Sequence, residues 1–383
     1  MINRLRKIRR VVGFRVPRSK VIATVQQEGS FARIKFGDQT LTYNILNHDL
    51  AQHETYDFAA LIMAAFSMSH NIEIELSFKI SKTMAQRLVD IEKVYGLWSL
   101  DTLAPLRVNT TAIVDPDLPT TRLKSGVICL SGGLDSLSAA ISATQSNSVS
   151  HALLIAGADY PSAQDPGFLQ LKDRVGRLSS RLKLKTLIME TNVRQLGINW
   201  DMMHGFNLGA CLHFLSPYLS HGSFAQDDTS YQQRFRGPWG NFSYVPTLLR
   251  TEGFDLQTYG EEFDRVDKLR HVLEYDERLL SDLSVCFADK TLGGNCGRCF
   301  KCVITRAGFH ALDIPQKDCF VDTSSIATAV KAFRTPRKMS AVRGQMIRCS
   351  ELLAVLPDGE VRDAFVQMNK RLHRRYDLFA API

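Results

Sequence analysis

The chain has 383 residues, of which 45% are hydrophobic and 22% are charged, and its formal net charge is +8. This length allows two or three domains, or one large core with appendages, and the composition is that of an ordinary soluble globular protein. No apolar run reaches the roughly 18 residues of a membrane-spanning helix, and the N-terminus lacks the apolar segment of a signal peptide, so we expect a cytoplasmic protein without a membrane partner.

The excess of positive charge lies at the two ends of the chain. Residues 1–20 hold eight basic and no acidic residues, and residues 330–383 hold 11 basic and five acidic ones. Clustered Lys and Arg can contact nucleic acid or an acidic protein, but a solvated tail has the same composition. Nucleic acid is therefore a possible partner that the sequence does not favour. Residues 1–20 are not Ser-rich, as an organelle transit peptide would be.

Residues 21–115 combine strand-like and helix-like segments and predict a small α+β module of unassigned role. VIATVQ, FARIKF and IEIELSFKI alternate as half-buried strands do, whereas DFAALIMAAF and TMAQRLVDIEKVYGLW have helical spacing. No motif that carries chemistry is visible in this module. The stretch DPDLPTTRLK at residues 115–124 is rich in turn-forming residues and predicts a linker.

From residue 125 onward, short apolar strands alternate with helices. GVICL, HALLIAG and KTLIME are predicted strands, and helices are predicted from about Asp135, over Pro166–Leu182 and within His204–Leu219. This alternation predicts an α/β domain over residues 125–312, with a doubly wound, mostly parallel sheet that binds ligands at the carboxyl ends of its strands. Residues 313–383 predict a helical C-terminal extension, with SSIATAVKAF and VRDAFVQMNKRLHRRYDLF as its helices.

The segment SGGLDS at residues 131–136 follows the first of these strands and opens the next helix. Glycines let backbone amides approach a ligand closely, and a helix N-terminus adds positive potential, so this loop is a candidate anion site. A simple turn with Asp135 as helix cap has the same pattern. The chain lacks the lysine-containing P-loop motif and the dinucleotide motif GxGxxG. Because Asp135 would repel a phosphate, the loop predicts Mg²⁺ between them.

SGGLDS matches the SGGxDS signature of the PP-loop ATP pyrophosphatases, and the chain resembles that family of the adenine nucleotide α-hydrolase-like superfamily. The resemblance implies a Rossmann-type fold and attack on the α-phosphorus of ATP, which gives an adenylated substrate and pyrophosphate. It implies ATP and Mg²⁺ as cofactors and catalytic roles for Asp135 and Ser136. The residues it assigns to ATP in this loop are Ser131, Gly132, Gly133, Leu134, Asp135 and Ser136.

Four cysteines crowd one region with the spacing C-x9-C-x2-C-x2-C: Cys286, Cys296, Cys299 and Cys302. A cytosolic protein is not expected to form structural disulfides, and thiolates two residues apart suit tetrahedral Zn²⁺. An iron–sulfur cluster and a redox CxxC pair are the alternatives. A closed site of four thiolates has no open coordination position, so a zinc ion held here is expected to be structural.

The PP-loop and the cysteine cluster together resemble the 7-cyano-7-deazaguanine synthase (QueC) family over residues 125–312. That resemblance implies ATP-dependent activation of 7-carboxy-7-deazaguanine, followed by attack of ammonia to give an amide and then a nitrile. Arg265 and Lys268 fall where family members carry basic residues, and they are expected to contact phosphate. The alternative is an exposed basic pair. His204, Gly205 and Asn207 could line the base pocket, although a capping or core role suits His204 equally.

The chain departs from the plain synthase in its N-terminal module, its helical tail and the loop QQRFRGPWGNF. Enlarged members of this kind resemble the QueC-like proteins of bacterial anti-phage operons, the Qat and cyclic-oligonucleotide (CBASS) systems. That likeness implies a partner protein from the same operon, whose amine would receive the activated deazaguanine. Two alternatives remain open, namely a PP-loop enzyme that thiolates tRNA and a non-catalytic nucleotide-binding scaffold.

Overall fold

The computed structural model describes residues 16–98, 102–117, 122–286, 288, 294–315 and 320–380. Most of the predicted basic segment 1–20 lies outside these residues. Within the described part, the chain forms one ten-stranded sheet, a short two-stranded sheet and 12 α-helices. The α/β class predicted from the sequence is therefore confirmed.

The strands of the large sheet are β1 (Lys20–Glu28), β2 (Phe31–Phe36), β3 (Gln39–Ile45), β4 (Glu73–Leu76), β6 (Val108–Thr110), β8 (Gly126–Cys129), β9 (Val149–Ala156), β10 (Lys185–Thr191), β11 (His221–Ala225) and β12 (Asp255–Tyr259). The small sheet pairs β5 (Ile80–Ser81) with β7 (Ile113–Val114). The helices are α1 (Asp57–His70), α2 (Lys82–Trp98), α3 (Leu134–Gln145), α4 (Pro166–Arg181), α5 (Trp200–His213), α6 (Ser230–Arg236), α7 (Val245–Leu249), α8 (Arg265–Asp276), α9 (Phe300–Ala311), α10 (Ile326–Ala332), α11 (Met339–Val355) and α12 (Glu360–Ala380).

The large sheet has the spatial order β12, β11, β8, β9, β10, β3, β2, β1, β4 and β6. Six of its nine strand pairings are parallel, including all four from β12 to β10. The chain runs outward from β8 through β9 to β10 and then returns to place β11 on the other side of β8. This reversal makes the carboxyl ends of β8 and β11 a topological switch point, where α/β sheets bind ligands.

The parallel part of the sheet is covered on both faces. Val127 and Cys129 belong to one apolar core, whereas Ile128 and Leu130 belong to a second core on the opposite face. Successive strand residues point to opposite faces, so a strand that is apolar throughout is buried on both sides. The continuous apolar run of β8 follows from this position.

The N-terminal strands continue the same sheet. β3 pairs antiparallel with β10, with Ile45 opposite Met189, and the side chain of Asn192 accepts a hydrogen bond from Thr42 N at 2.9 Å. Phe58 of α1 packs against Phe214 with ring centroids 5.0 Å apart. The predicted segments 21–115 and 125–312 therefore share one sheet and one core.

The C-terminal extension is helical, as predicted. Apolar side chains of α9 to α12 form a third core, which also includes Val266 of α8. Because α8 lies next to the SGGLDS loop, this core joins the extension to the side of the molecule that carries the predicted site. No helix in the described part of the chain is long and apolar enough to cross a membrane.

Candidate functional site

A cleft of about 360 Å³ lies at the carboxyl ends of β8, β9 and β11. It is bordered by the SGGLDS loop, by the start of α5 and by the loop that precedes the cysteine cluster. Its volume falls in the range of small-molecule sites, which is roughly 300–1,000 Å³. The predicted ligand position at the switch point is therefore a real concavity.

The SGGLDS loop is a tight turn that leads into α3. Gly132 has φ +74°, and a Cβ there would lie 3.2 Å from Leu171 Cδ1, so the turn and its packing both favour glycine. Ser136 Oγ donates to the carbonyl of Gly133 at 3.0 Å and accepts from the amide of Ser131 at 3.2 Å. Ser136 therefore holds the loop closed from inside, while the exposed Ser131 faces the cleft.

Asp135 lies between the two basic residues that the sequence singled out. Arg265 Nη1 is 3.2 Å from Asp135 Oδ2, and Lys268 Nζ is 3.0 Å from Asp135 Oδ1. Lys268 also donates to the backbone carbonyl of Gln226 at 2.6 Å and to that of Asp227 at 3.1 Å. Both basic side chains are buried, so they are not the exposed pair of the alternative interpretation.

The electrostatics of this cluster keep Asp135 ionised. Burial opposes its ionisation, but Lys268, Arg265, Arg348 and Lys301 together hold the pKa of Asp135 well below its ordinary value. One carboxylate paired with Lys268 and Arg265 leaves a net positive charge behind the loop. Such a charge attracts a phosphate group.

This pairing changes the reason for expecting Mg²⁺. The sequence argument required a cation to shield a phosphate from Asp135, but Arg265 and Lys268 already compensate that carboxylate. Each Asp135 oxygen retains capacity for one further contact, so a hydrated ion is compatible with the site.

Two of the three residues suggested for a base pocket line the cleft. His204 and Asn207 line the cleft, together with Trp200 and Trp239. Gly205 has another role, because a Cβ on it would lie 1.9 Å from the carbonyl oxygen of Gly240. Gly205 thus allows α5 to approach the loop that carries Trp239.

Four residues near the cleft were missed by the sequence reasoning. Asp227 and Asp228 follow β11, and Arg348 and Glu351 lie on α11. Their only sequence signals are an acidic pair directly after a short strand and a charge pair spaced i, i+3. β11 and α11 were not among the predicted elements, so these two signals had no structural context.

A buried network links α11 to the site. Arg348 donates to the carboxylates of Asp228 and Glu351 and, at 3.0 Å, to the carbonyl of Asp227. Glu351 also accepts a hydrogen bond from Gln232 at 2.8 Å. Burial lowers the pKa of Arg348, but Glu351 and Asp228 raise it by more than burial lowers it. The guanidinium therefore remains charged. The C-terminal extension therefore contributes a fixed charge beneath the cleft.

The four predicted metal ligands come together. Their sulfur atoms all lie within 4.8 Å of one another, and the pairs Cys286–Cys299 and Cys296–Cys302 are both 3.9 Å apart. A tetrahedral ion with metal–sulfur bonds of about 2.3 Å separates its ligands by about 3.8 Å. The cluster could hold a metal ion such as zinc.

Two buried side chains brace this cluster. Asn295 accepts hydrogen bonds from the amides of Val285 at 2.7 Å and Cys286 at 3.1 Å, which joins the two cysteine-bearing segments. Arg306 donates to the carbonyl of Gly297 at 2.9 Å. Gly297 has φ +78° and packs against the backbone of residue 322, so no other residue fits this turn.

The four sulfur atoms lie close enough together to share one ion. Thiolates this close together repel one another unless a metal compensates their charge. Cys286 also lines the cleft, so the cluster supports one edge of the candidate site.

No protein-family model matches the chain, and comparison with curated proteins and with solved structures finds no match either.

Proposed function

We propose that the protein is an ATP-dependent enzyme that joins a carboxylate to AMP, releases pyrophosphate and passes the acyl group to an amine. The proposed carboxylate is 7-carboxy-7-deazaguanine, as the resemblance to the QueC family implies. The observation that carries the proposal is the convergence of the SGGLDS loop with Arg265 and Lys268 at one wall of a ligand-sized cleft.

The loop supplies what a leaving pyrophosphate needs. It combines the positive end of the α3 dipole, the exposed hydroxyl of Ser131 and the charge of two buried cations. Charged groups that are fixed in place before reaction stabilise developing negative charge without reorganisation. We assign Ser131, Gly132 and Gly133 to the binding of pyrophosphate. Arg265 and Lys268, which contact Asp135, add positive electrostatic potential behind the loop.

The reaction balances without a redox partner. A carboxylate oxygen attacks the α-phosphorus, the bond between the α-phosphorus and the bridging oxygen breaks, and pyrophosphate leaves with the electron pair. The amine nitrogen then attacks the acyl carbon, AMP leaves, and the nitrogen loses a proton. A Mg²⁺ ion bound with ATP would offset charge on the phosphates.

The metal and the acceptor follow from the same proposal. We assign zinc to Cys286, Cys296, Cys299 and Cys302 as a structural ion, because four thiolates fill its coordination sphere. We propose an amine of a partner protein as the acceptor in an anti-phage system, with ammonia as the simpler alternative.

The test is pyrophosphate release measured with ATP, in the presence and absence of 7-carboxy-7-deazaguanine. Release that depends on the carboxylate supports the proposal, and Gly133→Ala should abolish it in a folded chain. Absence of such release, with ammonia and with co-expressed operon proteins, would refute the ligase. Iron and labile sulfide in the purified protein, in place of zinc, would favour the tRNA-thiolation alternative.

A further inference from the structure

One wall of the cleft carries an ionised carboxylate among aromatic rings, and the proposed chemistry leaves it unused. Asp227 is half-buried and lines the cleft beside Trp200, His204 and Trp239. Trp239 Nε1 donates to Asp227 Oδ2 at 3.3 Å. The rings of His204 and Trp239 meet edge to face, with centroids 5.6 Å apart.

Hydrogen bonds and a cation–π contact hold this wall in place. The amide of Gly240 donates to the carbonyl of Asp201 at 2.9 Å, and Asn241 Nδ2 donates to the carbonyl of Ala225 at 3.2 Å. The guanidinium of Arg236 lies 4.9 Å from the centroid of the Trp239 ring. A platform held in place before binding loses little entropy when a ligand arrives.

Asp227 differs from its neighbour Asp228 in what it contacts. Asp228 is paired with both Arg236 and Arg348, whereas no basic side chain in the described part of the chain lies within ion-pair distance of the Asp227 carboxylate. Burial and Asp135 raise the pKa of Asp227, but nearby basic side chains, Lys301 first among them, outweigh these effects and lower it, so the carboxylate stays ionised. Asp227 is therefore an acceptor with capacity for a ligand.

The backbone of Asp227 places this carboxylate next to the phosphate loop. Its carbonyl accepts a hydrogen bond from Lys268, which also contacts Asp135, while its side chain points to Trp239. A molecule bound on Trp239 and Asp227 thus adjoins the loop to which we assign the phosphates. A substrate must occupy such a position to attack the α-phosphorus.

We propose that Asp227 and Trp239 form the subsite for the heterocycle of the substrate, an inference that rests on the proposed function. The class is a flat bicyclic base with two adjacent N–H donors, as on the edge of guanine. A carboxylate only accepts hydrogen bonds, so it pairs with two adjacent donors and rejects an edge that presents a carbonyl oxygen there. An aromatic ring supplies the stacking surface.

The test compares two bases that differ at one exocyclic position, 7-deazaguanine and 7-deazaxanthine, by calorimetric titration. The wild-type chain should bind 7-deazaguanine about 10- to 100-fold more tightly. Asp227→Asn should reverse this preference, because an amide donates to the xanthine oxygen. Trp239→Phe keeps a ring but removes the N–H donor, and should retain the guanine preference.

Two outcomes separate the two proposals, and a third tests the role of the Asp227 carboxylate. An unchanged preference in Asp227→Asn, with normal binding of α,β-methylene ATP, would overturn the subsite and leave the ligase intact. The reversed preference without any ATP binding would sustain the subsite and overturn the ligase. If Trp239→Phe loses the preference for 7-deazaguanine as Asp227→Asn does, the carboxylate only anchors the indole, and the subsite is wrong.

Discussion

Lys268 Nζ lies 3.0 Å from Asp135 Oδ1, and the lysine side chain is fully buried. The two residues are 133 positions apart in the chain. Without this carboxylate, the buried ammonium keeps the carbonyls of Gln226 and Asp227 but loses the charge that balances it. The pair therefore ties the start of α8 to the start of α3 and serves the stability of the fold as well as the site.

We predict that Asp135→Asn destabilises the protein by about 3 kcal/mol because it strands a buried charge, and that it weakens nucleotide binding because Arg265 and Lys268 lose the carboxylate that fixes them beside the loop. The double variant Asp135→Asn/Lys268→Met should recover part of this loss without recovering binding. Urea unfolding at pH 7 measures the first effect, and titration with an ATP analogue measures the second. Equal stability of the wild type and Asp135→Asn would show that the pair contributes nothing.

The two loop glycines should respond differently to alanine. Gly132 has φ +74°, so Gly132→Ala should cost about 1–2 kcal/mol, whereas Gly133 has φ −74° and its Cβ would meet no atom closer than 3.5 Å. We therefore expect Gly133→Ala to unfold at the wild-type urea concentration and yet to bind an ATP analogue poorly, because a methyl group would occupy the phosphate position. Normal binding by Gly133→Ala would contradict the phosphate assignment.

Arg348 is expected to be the most sensitive residue of the C-terminal extension. Arg348→Met removes a buried cation from Asp228 and Glu351 and should cost about 3 kcal/mol. It should also raise the KM for ATP, since the loop after β11 loses its support. Lys338→Met is the matched control, because this lysine directly precedes α11 and its side chain is 79% exposed. A similar loss in both variants would show that the buried contacts of Arg348 are not the cause.

How far the sequence could predict the site depended on how local each signal was. Ser131–Ser136 and the four cysteines were found because each set lies within a short stretch whose spacing has a chemical meaning. Asp227 and Arg348 were missed because their partners are distant in sequence, and the carboxylate of Asp228 meets Arg348 only through the fold. Pairings of this kind leave no periodic pattern.

The fold, like the site, could be predicted only where the sequence signal was local. The strands and helices of residues 125–219 were largely found, although α5 begins at Trp200 and not at His204. IEIELSFKI was expected to be one strand, but it breaks after Leu76 and resumes at Ile80. That β3 would pair with β10 could not be inferred, because strand alternation gives a strand its buried face but not its neighbour.

The metal site gives a direct measurement. We predict about one zinc ion per chain, and Cys299→Ser should lower this content strongly together with the melting temperature. Cys349→Ala is the control, since this buried cysteine belongs to the C-terminal core and should change stability without changing zinc content. Elemental analysis of both variants decides the matter, and full zinc retention in Cys299→Ser would remove that residue from the site.

Acid should destabilise the shared N-terminal core through two buried histidines. Burial lowers the pKa of His53 and of His213 to about 4, against about 6.5 in the unfolded chain. Their folded pKa values are depressed, so the stability they confer is complete above pH 6.5 and is lost as the pH falls toward 4. The loss amounts to at most about 3 kcal/mol per histidine.

The check is the urea midpoint between pH 7 and pH 4 for wild type, His53→Gln/His213→Gln and exposed His310→Gln. The double variant should show a flatter profile, and His310→Gln should follow the wild type. Asp57 acts in the opposite direction, because burial raises its pKa to about 6 and its contribution is lost as the pH rises through that value. An unchanged slope in the double variant would contradict the histidine account.

The pairing of β3 with β10 has a consequence for any shortened form of this protein. A chain that began at residue 125 would keep each motif to which we assign chemistry, yet the open edge of β10 would present unsatisfied amides and carbonyls to the solvent, and Phe214 would lose the cover of Phe58. Exposed strand edges recruit other strands. The N-terminal strands thus protect the ligand-binding half from strand-to-strand association at the edge of β10.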